Sequence, residues 1–215
     1  MRLRSLQLAG SALLIAAVAF YAGYRAAPSP PPPPVMPTVS AIVWPPPPPL
    51  EPFTLTDTHG QPFGPDQLRD HWTLLFFGYT HCPDICPTTL ATLQRVYALL
   101  ADVPGFRARG QVLFVSVDGE RDTPEHLAEY TAYFDPAFLA ASGPDRELHH
   151  LTRQFGARIV RVSGEDPDEY WFDHPAAVLM LGPDTRVTAE FTPPLDAADI
   201  AAQVREIVEY FDAVR

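Results

Sequence analysis

Trp72-Thr-Leu-Leu-Phe-Phe-Gly78, followed at once by Tyr79-Thr-His81-Cys82-Pro-Asp84-Ile-Cys86-Pro87, is the stretch on which the reading of this chain turns. Its first seven residues form a continuous apolar run between polar neighbours, the pattern of a central strand covered on both faces. The two cysteines that follow are the only ones in 215 residues, so they either pair with each other or share a ligand. From Thr88 to Ala101, Leu90, Leu93, Val96, Tyr97 and Leu100 recur at helical spacing, and Pro87 suits a first helical turn. The cysteines thus occupy a loop between the carboxyl end of a buried strand and a helix N-terminus, where sites of open α/β sheets form. Backbone N–H groups and the helix dipole favour a thiolate there, although Pro87 removes one donor.

The same punctuation extends in both directions. Phe53 to Asp57 and Gln61 to Phe63 read as a small hairpin about the turn Thr58-His-Gly60. Gln111 to Asp118 is a second buried strand, and Thr123-Pro124-Glu125 opens a helix with Leu127, Tyr130, Tyr133 and Phe134 on its apolar side. Asp145 is expected to cap another helix running to Phe155-Gly156. Ile159–Val162, Ala176–Leu181 and Val187–Phe191 read as strands, with Gly182 to Thr185 as the turn of the last hairpin, and a final helix starts near Asp196 with Ile200, Val204, Ile207, Val208 and Phe211 inward. Strands alternating with helices, closed by a hairpin and a helix, predict an α/β fold: a thioredoxin-like mixed sheet flanked by helices, with an N-terminal hairpin.

Ahead of this domain, expected over 51–215, the composition changes twice. Residues 5–24 carry no charge and as a helix would extend roughly 30 Å, about one bilayer core. With Arg2 and Arg4 before it, the segment 1–25 reads as a single N-terminal transmembrane helix that anchors an exported domain. A cleaved signal peptide, processed near Ala17 or Ala19, is the competing reading. Twelve prolines between Pro28 and Pro49 make 26–50 a proline-rich linker, expected as an extended stalk reaching up to roughly 70 Å. All 26 acidic residues lie from Glu51 onward with 12 of the 15 arginines, a balance of −14. Such a surface repels nucleic acid.

Four residues apart, the two sulfurs converge if the loop curls into a helical turn, which permits a shared metal and a disulfide alike. A disulfide closing so short a loop gains little stability. Two thiolates are soft donors suited to copper(I), whereas structural zinc wants four ligands and no further cysteine exists. A third donor must come from elsewhere. His174 is the best placed histidine, because it precedes Pro175 and the strand 176–181, and the loop entering that strand lies beside the active loop in this fold class. His81 is expected to point away from the Cys82 sulfur, and His59, His71, His126, His149 and His150 fall on predicted turns or helix surfaces.

Phe77-Gly-Tyr-Thr-His-Cys-Pro-Asp-Ile-Cys-Pro-Thr-Thr-Leu90, with Val115-Ser-Val-Asp118, Glu120-Arg-Asp-Thr-Pro124 and Asp173-His174, resembles the Sco/SenC family of copper chaperones from about Phe53 to the C-terminus. The resemblance implies copper(I) or copper(II) held by Cys82, Cys86 and His174, and a role in building the binuclear copper site of cytochrome c oxidase subunit II. It implies a partner in that subunit or another exported copper protein, and a place in the bacterial inner membrane, single-pass, with the C-terminal domain in the periplasm. Gly119 stands where the family usually has proline, and Pro175 where a small polar residue commonly follows the histidine. Asp84 and Asp173 could tune the site, and Asp118 is expected to support the strand-end loop. Members are also credited with thiol–disulfide exchange. A reductase acting on the recipient's cysteines before metallation therefore stays open beside delivery, needing Cys82 and Cys86 but not His174.

Overall fold

The computed structural model describes residues 20, 21, 25, 39–43, 45–164 and 169–214. The chain divides into two compact units, Met1–Pro34 and Val35–Arg215. Of the first, only residues 20, 21 and 25 are described, all helical, with the Arg25 guanidinium 2.9 Å from the Tyr21 hydroxyl. The expected transmembrane helix lies almost wholly outside the described residues, and no helix among those described is long and apolar enough to cross a membrane.

The second unit is built on β1 (Leu55–Asp57), β2 (Pro62–Phe63), β3 (Trp72–Gly78), α1 (Ile85–Leu99), α2 (Pro104–Arg109), β4 (Gly110–Ser116), α3 (Pro124–Phe134), β5 (Leu139–Ser142), α4 (Asp145–Gln154), β6 (Val160–Ser163), β7 (Tyr170–Asp173), β8 (Val178–Leu181), β9 (Val187–Phe191) and α5 (Ala197–Ala213). Seven strands form one mixed sheet in the order β2-β1-β5-β4-β3-β8-β9. β3, β4 and β5 run parallel, while β8 and β9 close one side antiparallel and the β1–β2 hairpin closes the other. The apolar run 72–78 is the strand between β4 and β8, buried along its whole length. Its alternate residues serve two cores. Leu74 and Phe76 meet α1, α3 and α5 on one face, and Leu75 and Phe77 meet α4 and the N-terminal hairpin on the other.

Several predicted elements shift, for identifiable reasons. α1 begins three residues before Thr88, because Pro87 is tolerated in the first turn where its missing N–H has no partner to lose. Thr123 caps α3 by accepting from the His126 N–H, as expected, but Tyr133 is 85% exposed. Six residues past Leu127 it has turned roughly 240° around the helix, away from the face that Leu127, Thr131 and Phe134 bury. Pro144, not Asp145, is the N-cap residue of α4. Asp196 caps α5 with bonds from the N–H groups of Ala198 and Asp199.

The end of the proline-rich segment is not a free stalk. Ile42 bridges antiparallel to Ala189, the Val43 N–H donates to the Thr188 carbonyl at 2.9 Å, and the Glu190 N–H donates to the Ala41 carbonyl at 2.8 Å. Further along, Leu50 N–H bonds the Thr185 carbonyl and Arg186 reaches the Pro47 carbonyl. Residues 39–43 therefore cover the edge of β9, the kind of edge that otherwise recruits other strands, and residues 47–50 lie against the turn before it. The non-proline residues 39–43 make this possible by supplying the N–H donors that the proline blocks lack.

β6 and β7 pair only with each other, as a two-stranded sheet separate from the main one. This hairpin leads directly into His174 and on to β8. β8 runs antiparallel to β3 with Val178 opposite Phe76, so its start lies beside the carboxyl end of β3 and brings His174 to the cysteine loop. The His174–Pro175 bond is trans: the only cis peptide bond among the described residues is Pro193–Pro194.

Candidate metal centre

Cys82 leaves the loop that follows β3, and Cys86 occupies the first turn of α1. Both thiols are free. Together with His174 they place their ligand atoms within 4.8 Å of one another. The three side chains predicted to act together are therefore brought together, by three separate elements. Cys86 is completely buried and Cys82 partly exposed, so one sulfur belongs to the core and the other faces outward.

The hydrogen bonds settle the roles of individual atoms. The His174 Nδ1 lies 3.1 Å from the Pro175 carbonyl, which can only accept, so Nδ1 carries the proton and Nε2 keeps its lone pair. Nε2 is 3.5 Å from the Cys86 sulfur and accepts from its S–H. The Cys86 backbone N–H in turn donates to the Cys82 sulfur at 3.4 Å, a helix N-terminal donor directed at the more exposed thiol. The backbone carbonyl of residue 175 thus fixes the tautomer a metal ligand needs, a role that does not depend on the proline ring.

Burial sets the charge state. It pushes the Cys86 thiol well above the ordinary cysteine range, and the neighbouring Cys82 pushes the same way. Burial lowers the His174 imidazole below the usual histidine range, against smaller opposing effects from the Pro175 carbonyl and Asp173. The resting site is then neutral imidazole and protonated Cys86, and a thiophilic cation would have to displace a proton from that sulfur. The walls are aromatic. The rings of Phe76 and Tyr79 each lie 5.9 Å from the His174 ring, edge to face, and Tyr79 meets Phe172 at 5.5 Å. Gly78 leaves room for the buried sulfur: a Cβ there would lie 2.8 Å from the Cys86 Sγ.

The other histidines fall where the sequence places them. His81 turns to Thr80 at 3.1 Å and to Asp122 at 3.7 Å, away from the sulfurs, and its ring packs against His126. His71 bonds the Arg69 carbonyl and His150 lies 3.2 Å from the Pro52 carbonyl. His81, Asp118 and Asp122 also form a compact cluster. Its carboxylates are already satisfied: Asp122 accepts from Thr80 and Ser116, and Asp118 from Arg121 and Tyr170. Asp118 and Asp122 hold the loop after β4, as expected of Asp118. Asp84 and Asp173 are both exposed, and Asp173 acts on the site only through its charge on His174.

Sequence reasoning missed the β7 strand, the aromatic walls and the role of Gly78. The alternation of half-buried Tyr170 and Phe172 with exposed Trp171 and Asp173 is a strand signal, but it spans only four residues.

Known proteins resemble this chain over most of its length. The family model described as SCO1/SenC matches residues 46–209. A SCO2-like protein of Rickettsia prowazekii is 34% identical over 166 residues, covering 74% of each chain. The structure described as Bradyrhizobium japonicum ScoI with copper bound has a TM-score of 0.65 and 32% identity, covering 73% of this chain and 98% of that one. BsSco, described as a member of the Sco family of cytochrome c oxidase assembly proteins in which a disulfide switch was identified, has a TM-score of 0.60 over 79% of this chain and 98% of its own; at 23% identity it supports the fold alone. With the family model running from before β1 into α5 and both cysteines and the histidine lying within it, the chain belongs to the SCO1/SenC family.

Proposed function

We propose that this protein carries one copper ion on Cys82, Cys86 and His174 and delivers it to the binuclear copper site of cytochrome c oxidase subunit II or of another exported copper protein. The observation that carries the reading is the convergence of two thiols and one neutral imidazole within 4.8 Å of one another. That donor set is soft, has three members and suits copper better than zinc. Copper is cargo here, so the site must release it. Release proceeds by ligand exchange: the recipient's thiolates first replace His174, which directly follows the separate β6–β7 hairpin, and then the cysteines. The proposal includes a membrane anchor at 1–25 in the bacterial inner membrane, with the domain 51–215 in the periplasm.

A second reading, a thiol–disulfide oxidoreductase, is favoured by the helix N–H aimed at the more exposed Cys82 sulfur. There the Cys82 thiolate attacks a recipient disulfide, and Cys86 resolves the mixed disulfide. Two electrons pass to the recipient, its leaving sulfurs take up the protons, and a Cys82–Cys86 disulfide remains.

His174→Ala separates the two readings. Copper(I) can stay on two thiolates, whereas copper(II) favours additional nitrogen donors. The variant should lose copper(II) affinity by more than the roughly 10–100-fold typical of removing an outer-shell partner, keep copper(I) binding, and keep disulfide reduction. Titrating both oxidation states in competition with chelators of known affinity reads the outcome. Unchanged copper(II) affinity together with collapsed thiol exchange would make His174 an acid–base group and favour the oxidoreductase.

A further inference from the structure

The β6–β7 hairpin delivers the third donor, yet no ladder joins it to the main sheet. A lone two-stranded hairpin is marginally stable in water, so side chains must fix its position. At its far end from His174, Tyr170 is held on both faces. The guanidinium carbons of Arg121 and Arg161 each lie 3.7 Å from the centre of its ring. Two groups at that height cannot share one face, so they take opposite faces.

The sandwich is tied to the body at several further points. The Tyr170 hydroxyl donates to the Asp118 carboxylate at 2.9 Å, and Arg121 donates to the other oxygen of the same buried carboxylate. Arg121 also reaches the Tyr170 carbonyl at 3.4 Å. Arg161, which belongs to the hairpin, pairs with Glu120 at 2.9 Å. Arg121, Asp118 and Glu120 all belong to the segment after β4, on the rigid side of the molecule. The third Arg121 guanidinium nitrogen, Nη2, is buried without a hydrogen-bond partner, a desolvation cost on this loop.

We propose that Tyr170, clamped between Arg121 and Arg161, is the positioning residue that sets His174 against the two sulfurs. The proposal rests on the copper reading for its consequence, not for its geometry. With the clamp closed, the hairpin has one seat and Nε2 stays near the Cys86 sulfur. With the clamp broken, the hairpin keeps the Arg161–Glu120 pair, the packing of Phe172 and Ile159 on the second core and its link to β8, a looser attachment that lets His174 spend part of its time away from the site. The two cysteines, in the loop after β3 and in the first turn of α1, are unaffected. The clamp therefore tunes the third donor alone, which makes copper(II) affinity and the release step depend on residues that never touch the metal.

The test uses the full chain with Tyr170→Leu, which removes both the aromatic faces and the hydroxyl, and Tyr170→Phe, which keeps the sandwich. In the metal-free protein, amide hydrogen exchange at residues 170–173 should accelerate in Tyr170→Leu and stay near wild type in Tyr170→Phe. Copper(II) affinity should fall about 10–100-fold in Tyr170→Leu while copper(I) affinity changes by less than about threefold. In a His174→Ala background, Tyr170→Leu should cost nothing further, because the residue it positions is gone. Equal losses with and without His174, equal losses for both oxidation states, or unchanged exchange would each overturn the proposal. Should Tyr170→Leu fail to fold, Arg161→Ala removes one half of the sandwich from a partly exposed position, and the same readouts apply. If His174→Ala itself leaves copper(II) affinity unchanged, the copper reading fails, and hydrogen exchange still decides whether the clamp exists.

Discussion

Cys86→Ser should abolish tight copper binding, and oxidation of the wild-type chain to a Cys82–Cys86 disulfide should do the same. Both follow from one count: the chain has two cysteines, and both sulfurs lie in the only donor cluster among the described residues that contains a thiol. A serine hydroxyl is a hard donor and cannot replace the buried thiolate for a soft cation. The expected loss exceeds the roughly 10–100-fold typical of an outer-shell change. Cys86 is one member of a large apolar core, so burying a serine hydroxyl there is expected to cost about 1–3 kcal/mol without unfolding the domain. Copper titration of reduced, oxidised and Cys86→Ser protein, with circular dichroism as the folding control, checks this. Tight binding by the oxidised form would place the ligands elsewhere. Because burial holds a proton on Cys86, copper uptake by the reduced protein should release protons and weaken as the pH falls.

How much of this was legible beforehand depends on how locally each feature is encoded. The β3 run from Trp72 to Gly78 announces itself, because a strand covered on both faces leaves a nearly continuous apolar sequence, here interrupted only by Thr73. The helix cap at Asp196 and the Thr123-Pro124 start of α3 are equally local signals. Cys82, Cys86 and His174 could be named because scarcity and fold position narrowed the choice. The docking of residues 39–43 on β9 was not legible, because the prolines flanking this short stretch dominate its pattern while its partner strand lies about 150 residues away. The Arg121–Tyr170–Arg161 clamp was hidden for the same reason: each of its members reads as an ordinary surface residue until the hairpin folds back.

Gly78→Val is expected to be the most damaging single substitution near the site. A Cβ at this position would lie 2.7 Å from a Phe114 ring carbon, 2.8 Å from the Cys86 sulfur and 3.1 Å from Phe76. Real Cβ atoms do not approach so closely, and the neighbours cannot give way: Phe76, Phe114 and Cys86 are all completely buried. Overpacking a close-packed core typically costs about 1–3 kcal/mol, and valine adds three carbons where none fits, so a cost near the upper end, about 3 kcal/mol, is expected. For a domain of this size that corresponds to a fall in Tm of roughly 6–12 °C. The displaced sulfur gives a second readout, since copper affinity should fall along with stability. Thermal unfolding followed by circular dichroism checks the first effect, and an unchanged Tm would mean that the loop after β3 is looser than its contacts imply.

The claim that two sulfurs and one imidazole hold the copper is tested most directly by X-ray absorption at the copper edge, measured on the copper-loaded full chain and on its His174→Ala variant. The account predicts two sulfur donors and one nitrogen donor in the wild type, with the sulfurs kept and the nitrogen lost in the variant. A single sulfur in the wild type, or a nitrogen that survives the loss of His174, would contradict it.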